Sequence, residues 1–237
     1  MYHLHLDDMD IYVSVYKYID SNMYILLAQN EALVVDPHTD AEVEAHLARH
    51  KVRKVTLLLT HEHPDHISGI WWFRENFDCT LICSEKCAAK IANPRSVRPL
   101  LLAFILEEND RKNGTNVLSE FKGDYVERTY AADVSYHEEL QCSWQGHGLL
   151  FKAIQGHSAG SSVIILDGRY AFTGDSLLKD YPVIVSFPQG NKDLFLTETI
   201  PLLEKMLLPD MTVLPGHGKP FVLSDMIKDG RILVNLR

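Results

Sequence analysis

Six residues, His61-Glu62-His63-Pro64-Asp65-His66, follow directly on the apolar run Val55 to Thr60. This junction constrains the fold more than any other stretch of the chain. The run has the length and composition of a buried strand. Pro64 biases His63 towards an extended backbone and predicts that no helix runs through the motif. Four potential metal ligands therefore crowd into a loop at a strand end. Neutral imidazole and carboxylate are donors that zinc, iron and manganese all accept. A polar loop with chance histidines is the competing reading, and the density of the cluster weighs against it.

Three further segments repeat the arrangement. Gly156-His157-Ser158-Ala159-Gly160 follows the strand-like Leu149 to Ile154, Thr173-Gly174-Asp175 follows Tyr170 to Phe172, and Gly216-His217-Gly218 follows Thr212 to Leu214. Each sets one His or Asp beside glycines that permit tight turns and close backbone approach. Taken singly, each reads as a turn. Together they supply ligands from equivalent places, the carboxyl ends of strands, where sheet proteins build their sites.

The remaining chain supplies the scaffold. Ile11 to Tyr18, Met23 to Ala28, Ala32 to Val35 and Thr80 to Cys83 read as strands. Thr39-x-x-Glu42 reads as a capping box opening a helix to about His50. Ile67 to Phe77 reads as helical, with Trp71 and Trp72 packing. Ser84 can cap a helix that must stop near Asn93-Pro94. From Pro94 to Gly148 the pattern loosens: Leu100 to Asn109 is a predicted helix, Arg111 to Gly114 an exposed turn, and Tyr125 to Leu140 weakly strand-like. This stretch, about 94–148, reads as a lid or elaboration on a single domain covering 1–237. Asp167-Gly168 marks a hairpin turn, and a helix over Asp193 to Leu207 is expected to break or kink at Pro201.

Composition sets outer bounds. Hydrophobic content of 46% with 23% charged residues is ordinary for a globular protein, and a net charge of −9 argues against nucleic acid as partner. The segment Met1 to Asp10 does not read as a secretory signal, and the longest apolar run, Leu100 to Leu106, is too short to span a bilayer. A cytoplasmic location is therefore expected. Cys79, Cys83, Cys87 and Cys142 form no Cys-x-x-Cys pair and are expected as reduced, mostly buried thiols.

The set His61-x-His63-x-Asp65-His66, Gly156-His157, Gly174-Asp175 and Gly216-His217 resembles the metallo-β-lactamase superfamily of binuclear metallohydrolases, in order and in spacing. "ALVVDP", Ala32 to Pro37, looks like the strand preceding the first helix of that family; His38 departs from it, since relatives more often carry Gly there. The resemblance implies an α/β (α+β) fold, a four-layer αββα sandwich of two mixed sheets flanked by helices. It also implies that His61, His63 and His157 hold one metal, that Asp65, His66 and His217 hold a second, and that Asp175 bridges them. The implied cofactors are two divalent ions, zinc first, with iron or manganese also compatible. A pair of ions ~3.5–4 Å apart can share a hydroxide, lower its pKa and stabilise attacking and leaving oxygens.

Hydrolysis of an ester-like bond in a small-molecule substrate, a thioester or lactone, is the leading expectation. Phosphodiester cleavage, a mononuclear iron dioxygenase acting on persulfides, and a non-catalytic ligand-binding module are the alternatives. Asp175 counts against a true β-lactamase, where the equivalent position is usually Cys or a non-ligand, and flavodiiron relatives carry Glu where this chain has His63. A glyoxalase II assignment is disfavoured, because the sequence runs only twenty residues beyond His217 and Ile232 to Leu236 reads as a strand. Oligomeric state is left open, a homodimer included.

The catalytic candidates are Asp65, which doubles as a ligand, and Tyr181. A phenol at Tyr181 could donate to a developing oxyanion, although ordinary packing is the favoured reading. Seven of the twelve histidines lie outside the ligand set. His46 and His50 are expected to face solvent, His3 and His5 to lie on the wet face of an edge strand, and His38 to be exposed. His137 and His147 fall in the loosely patterned middle segment and could line a pocket.

Overall fold

The computed structural model describes residues 1–6 and 9–237. The chain runs through β1 (Tyr2–Leu6), β2 (Met9–Val15), β3 (Asn22–Ala28), β4 (Glu31–Val35), α1 (Ala41–Arg49), β5 (Lys54–Leu58), α2 (Pro64–Ile67), α3 (Ile70–Asn76), β6 (Asp78–Ser84) and α4 (Glu85–Ile91). It continues through α5 (Leu100–Asn113), α6 (Val117–Asp124), β7 (Val134–Tyr136), β8 (Glu139–Trp144), β9 (His147–Ala153), β10 (Ser162–Leu166) and β11 (Tyr170–Gly174). The last elements are α7 (Lys192–Leu194), α8 (Ile200–Met206), β12 (Thr212–Pro215), β13 (Phe221–Val222), β14 (Ile227–Lys228) and β15 (Arg231–Ile232).

Among the described residues two large sheets form, ordered β1-β2-β3-β4-β5-β6-β7 and β13-β12-β11-β10-β9-β8, beside the small ribbon β14-β15. Both are mixed. In the first, β4, β5, β6 and β7 run parallel and helices make the crossovers; in the second, β11 and β12 are the parallel pair. Alternation along each strand decides what faces what. Tyr24, Leu26, Leu33 and Val35 point between the sheets, where they meet Phe151, Ile164 and Phe172. Their neighbours Met23, Ile25, Ala32 and Val34 point the other way, onto Val43, Leu47 and Phe73 of the helices. On the second sheet Val163, Ile165 and Val213 pack outward against Leu203 and Leu207. The order helix, sheet, sheet, helix is the four-layer αββα sandwich expected from the sequence.

Local departures have local causes. Pro64 does not exclude a helix: it stands at the first position of α2, where its missing N–H costs nothing, and His63 before it is extended at φ −68°, ψ 147°. The cap of α1 is Asp40, whose carboxylate accepts from Glu42 N, rather than Thr39. Arg111 to Asn113 belong to α5, which ends at Gly114 in the left-handed conformation, and α6 lay unread in the sequence. The interruption in the helical stretch after Asn191 is a π turn, Phe195–Thr199, with Pro201 in the first turn of α8. Of Ile232 to Leu236, only Ile232 lies in a strand, and Leu236 makes an isolated bridge to Val183.

The stretch 94–148 divides in two. Its first part, α5 and α6, is a helical hairpin seated on Tyr16 and Tyr18 through Leu102, Leu106 and Phe121. Its second part supplies β7 to one sheet and β8 to the other. All four cysteines are free, and Cys142 is exposed rather than buried. Among the described residues no helix is long and apolar enough to cross a membrane.

Candidate metal centre

The ligand loops leave their strands at one rim of the sandwich, where the two sheets are tied together. Ser162 N donates to Thr60 O at 2.7 Å, and Asn22 N donates to Gly216 O at 2.7 Å. The first sheet presents His61, His63, Asp65 and His66; the second presents His157, Asp175 and His217. Ligand atoms of His61, His63, His157 and Asp175 lie within 4.8 Å of one another, and so do those of Asp65, His66 and His217. Asp175 stands between the two groups. Its Oδ2 is 3.6 Å from His157 Nε2 and 3.5 Å from His217 Nε2, while its Oδ1 is 3.5 Å from His66 Nε2. Asp65 Oδ2 lies 3.2 Å from His66 Nε2 and 3.3 Å from His217 Nε2. On the other side His63 Nδ1 is 3.0 Å from His157 Nε2.

Buried partners fix the tautomers. Asp36 accepts from Thr60 N at 2.7 Å and from the Thr60 hydroxyl at 2.6 Å. That hydroxyl has a single proton, so at 3.0 Å it must accept from His61 Nδ1–H. His66 Nδ1–H donates to the same Asp36 carboxylate at 2.9 Å, and His157 Nδ1–H donates to Ile184 O at 2.8 Å. Each ring thereby turns Nε2 towards the cluster, the arrangement that orients metal-ligating histidines. Asp36 adopts φ 54° to do this, an uncommon conformation for a residue with a side chain.

The electrostatics have the same sense. Burial drives the pKa of His61 well below its ordinary value and that of His157 down to about 4, so both rings stay neutral. Burial also opposes charge on His66 and His217, but Asp65, Asp175 and Asp36 outweigh it for His66. Asp175, with Asp20 and Asp65, lifts His217 to about 10. Burial would raise Asp65 and Asp175, yet the facing imidazoles hold both carboxyls below their usual range. Surroundings acidic enough to hold protons on two buried imidazoles would hold cations in their place, with release of those protons. Buried His61 Nε2, His66 Nε2 and Asp175 Oδ1 have no hydrogen-bond partner among the described residues. Such orphaned buried atoms fit divalent metal ions.

Several supporting residues were not evident in the sequence. Asn22 Nδ2 donates to Pro215 O at 3.0 Å and Gly218 O at 2.8 Å, and the Tyr24 hydroxyl donates to Pro215 O at 2.7 Å, which fixes the loop bearing His217. Glu62 accepts from the Ser158 hydroxyl at 3.0 Å and so anchors the loop bearing His157. Gly216 has no substitute: a Cβ there would meet Asp175 Oδ1 at 2.1 Å. Asp36 and Thr60 were each readable as the end of a strand-like run. Their shared carboxylate–hydroxyl relay was not, because it forms across parallel strands.

The other candidates fall as follows. His38 is buried, not exposed: its Nε2–H donates to Ser14 at 2.8 Å and its ring stacks on Tyr16. His46 is also buried, between Tyr12 and His50, whereas His50 is exposed. His3 and His5 lie exposed on β1, each 2.8 Å from Asp10 Oδ1. His137 pairs with Glu85 and His147 with Asp167, away from the ligands. Trp71 and Trp72 pack against the outer core of the first sheet. Tyr181 is not packed away. It is 42% exposed, donates to Asp20 Oδ2 at 2.8 Å, and places Asp20 Oδ1 3.5 Å from His217 Nδ1. A cavity of about 800 Å³ opens over His63, Asp65, His157, Asp175 and His217, with Tyr181 at its wall.

Comparison with known proteins gives a consistent picture. The chain matches the metallo-beta-lactamase superfamily over residues 18–217. It is 26% identical over 216 residues to a probable metallo-hydrolase of Streptococcus pyogenes, covering 89% of this chain and 84% of that one. A hydroxyacylglutathione hydrolase of Glaesserella parasuis is 34% identical over 74 residues, 31% of this chain and 32% of its own length. Among solved structures, the B3 metallo-beta-lactamase BLEG-1 superposes with a TM-score of 0.68 at 22% identity, covering 89% and 93% of the two chains. The protein TTHA1623, solved in a di-iron-bound form, gives 0.63 at 18% identity over 90% and 95%.

Proposed function

The chain belongs to the metallo-beta-lactamase superfamily of metallo-hydrolases, and from that premise we propose that it cleaves an ester-like bond, a thioester or lactone, with two divalent cations. The observation that carries this reading is Asp175, whose two oxygens reach towards both ligand groups at 3.5 to 3.6 Å. His61, His63 and His157 would hold one ion, Asp65, His66 and His217 the other, with Asp175 shared. Zinc is the first candidate; the di-iron form of one structural relative keeps iron in view. When bound, such ions lower the pKa of water towards neutrality and offset charge building on a carbonyl oxygen.

The chain's own groups do the rest. Asp36, Thr60 and the Ile184 carbonyl hold three imidazoles with Nε2 forward. Glu62 and Asn22 fix the loops that carry His157 and His217. The Tyr181 proton is engaged by Asp20, so in this reading Tyr181 holds Asp20 against His217 and is not an oxyanion donor. The partial match to a hydroxyacylglutathione hydrolase supports the thioester branch.

The test is elemental analysis of protein purified without an affinity tag, followed by turnover on esters, thioesters, lactones and phosphodiesters. Two ions per chain with ester or thioester hydrolysis is the expected result. Asp175→Ala should lower occupancy and cost orders of magnitude in rate; wild-type turnover by that variant would refute the bridging role.

A further inference from the structure

The cavity over the ligand cluster, about 800 Å³, is larger than an acetyl group or a lactone ring needs and lies within the ~300–1,000 Å³ of sites for drug-sized ligands. Two kinds of wall enclose it. One is hydrocarbon: Leu101, Phe104 and Ile105 come from α5, and Leu178, Ile184 and Phe187 from the segment after Asp175. On its other face α5 already buries Leu102 and Leu106 against Tyr16, Tyr18 and Phe121. An ordinary surface helix would be polar away from that contact. Instead α5 leaves Leu100 61% and Phe104 58% exposed at the cavity. Apolar side chains held in water beside a concave site mark a place for a ligand.

The second kind of wall is cationic. Lys90, Arg95 and Arg98, from the end of α4 and the loop into α5, line the same cavity. Arg98 approaches Glu127 only at 4.0 Å, and among the described residues Lys90 and Arg95 have no carboxylate partner. With Arg237 in the same lining, these cations attract an anion, whereas the carboxylates of that lining, Asp20, Glu62, Asp65 and Asp175, come from the segments around the ligand cluster. Guanidinium groups suit phosphate in particular.

Resting on the hydrolase reading above, we propose that the substrate is an anionic amphiphile: an acyl thioester or ester with a hydrocarbon chain along α5 and a phosphate on the leaving group at Lys90, Arg95 and Arg98. In its hydrolysis the oxygen of water bonds to the acyl carbon. The C–S or C–O bond breaks with its electron pair going to the leaving atom, which takes up a proton. The products are a fatty acid and a phosphorylated thiol or alcohol.

The experiment uses the metal-loaded protein and decanoyl thioesters of three thiols: N-acetylcysteamine (neutral), 3-mercaptopropionate (carboxylate) and phosphopantetheine (phosphate), with acetyl counterparts. The phosphate substrate should lead the other two in kcat/KM by about tenfold or more, the worth of one charge-assisted contact. Decanoyl should lead acetyl by a similar factor. Arg95→Gln/Arg98→Gln should collapse the phosphate-to-neutral ratio, and Phe104→Ser should collapse the decanoyl-to-acetyl ratio. Equal rates on phosphate and neutral thioesters, or ratios unmoved by these variants, overturn the proposal; parity of carboxylate with phosphate overturns the phosphate assignment. If no ester is turned over at all, the hydrolase reading fails, and the pocket is judged on binding of decyl phosphate by calorimetry. Wild type must then bind it more tightly than decanol and more tightly than Arg95→Gln/Arg98→Gln does, and equal binding overturns the pocket as well.

Discussion

Thr60→Val removes one hydroxyl and keeps the shape of the side chain, so it isolates the relay between Asp36 and His61. In the wild type that hydroxyl donates to Asp36 at 2.6 Å and accepts from His61 Nδ1–H at 3.0 Å, both fully out of water. The valine leaves His61 Nδ1–H without an acceptor and Asp36 Oδ2 with one donor, from His66, in place of two. A buried donor stripped of its partner costs about 1–3 kcal/mol. The ring can escape that cost by moving its proton to Nε2, which then no longer offers a lone pair. Binding a cation must then reverse that shift and leave Nδ1–H unpartnered, so the penalty falls on affinity, and ~1.4 kcal/mol per decade makes it about 10- to 100-fold, in line with other orienting residues around metals. Competition with a chromophoric chelator measures this directly, with circular dichroism to show that the variant is folded. Thr60→Ser, which keeps the hydroxyl, should recover most of the loss. Wild-type affinity in Thr60→Val would refute the relay.

Three other outcomes are expected. Gly216→Ala should weaken metal retention by at least about tenfold, because a Cβ at 2.1 Å from Asp175 Oδ1 must displace that carboxylate or the loop; equilibrium dialysis checks it. Burial holds the pKa of His38 at about 3 against an ordinary 6.5, so the unfolded chain takes up a proton there that the native chain refuses. Its contribution to stability is present above pH 6.5 and drains away as pH falls towards 3, by up to about 1.4 kcal/mol per unit. Urea midpoints of wild type and His38→Gln across that window should differ in slope, and parallel curves would contradict the assignment. Phe121→Ala empties the contact between the α5–α6 hairpin and Tyr18 and should cost about 3–5 kcal/mol in chemical unfolding. The ligand rim draws on other elements, so metal content should persist.

What could be read in advance was what is local. Glycine beside His or Asp at the end of an apolar run is a feature of adjacent residues, and so is the density of the His61 to His66 motif, so His157, Asp175 and His217 were legible as candidates once their segments were taken together with that motif. Strand identity followed from alternation, and Ser84 as a cap from its place before α4. The misses share a different origin. His38 and His46 read as surface residues in the sequence because polar character outweighs burial when only one chain is in view. Their burial depends on Tyr16, Ser14 and Tyr12, which are distant in the chain but adjacent across β2. Asp36, Asn22 and Glu62 act through hydrogen bonds to other segments, and no spacing rule encodes those. The helix α6 lies in a short stretch of mixed polarity, and its single fully buried residue, Phe121, packs only because Tyr18 stands opposite.

The donors of the centre are shared between the two halves of the sandwich, four from one sheet and three from the other. A cation pair held there would act as a clasp across the seam. Every favourable increment of its binding resists the sheets parting, by the mass-action relation that stabilises any native state which alone binds a ligand.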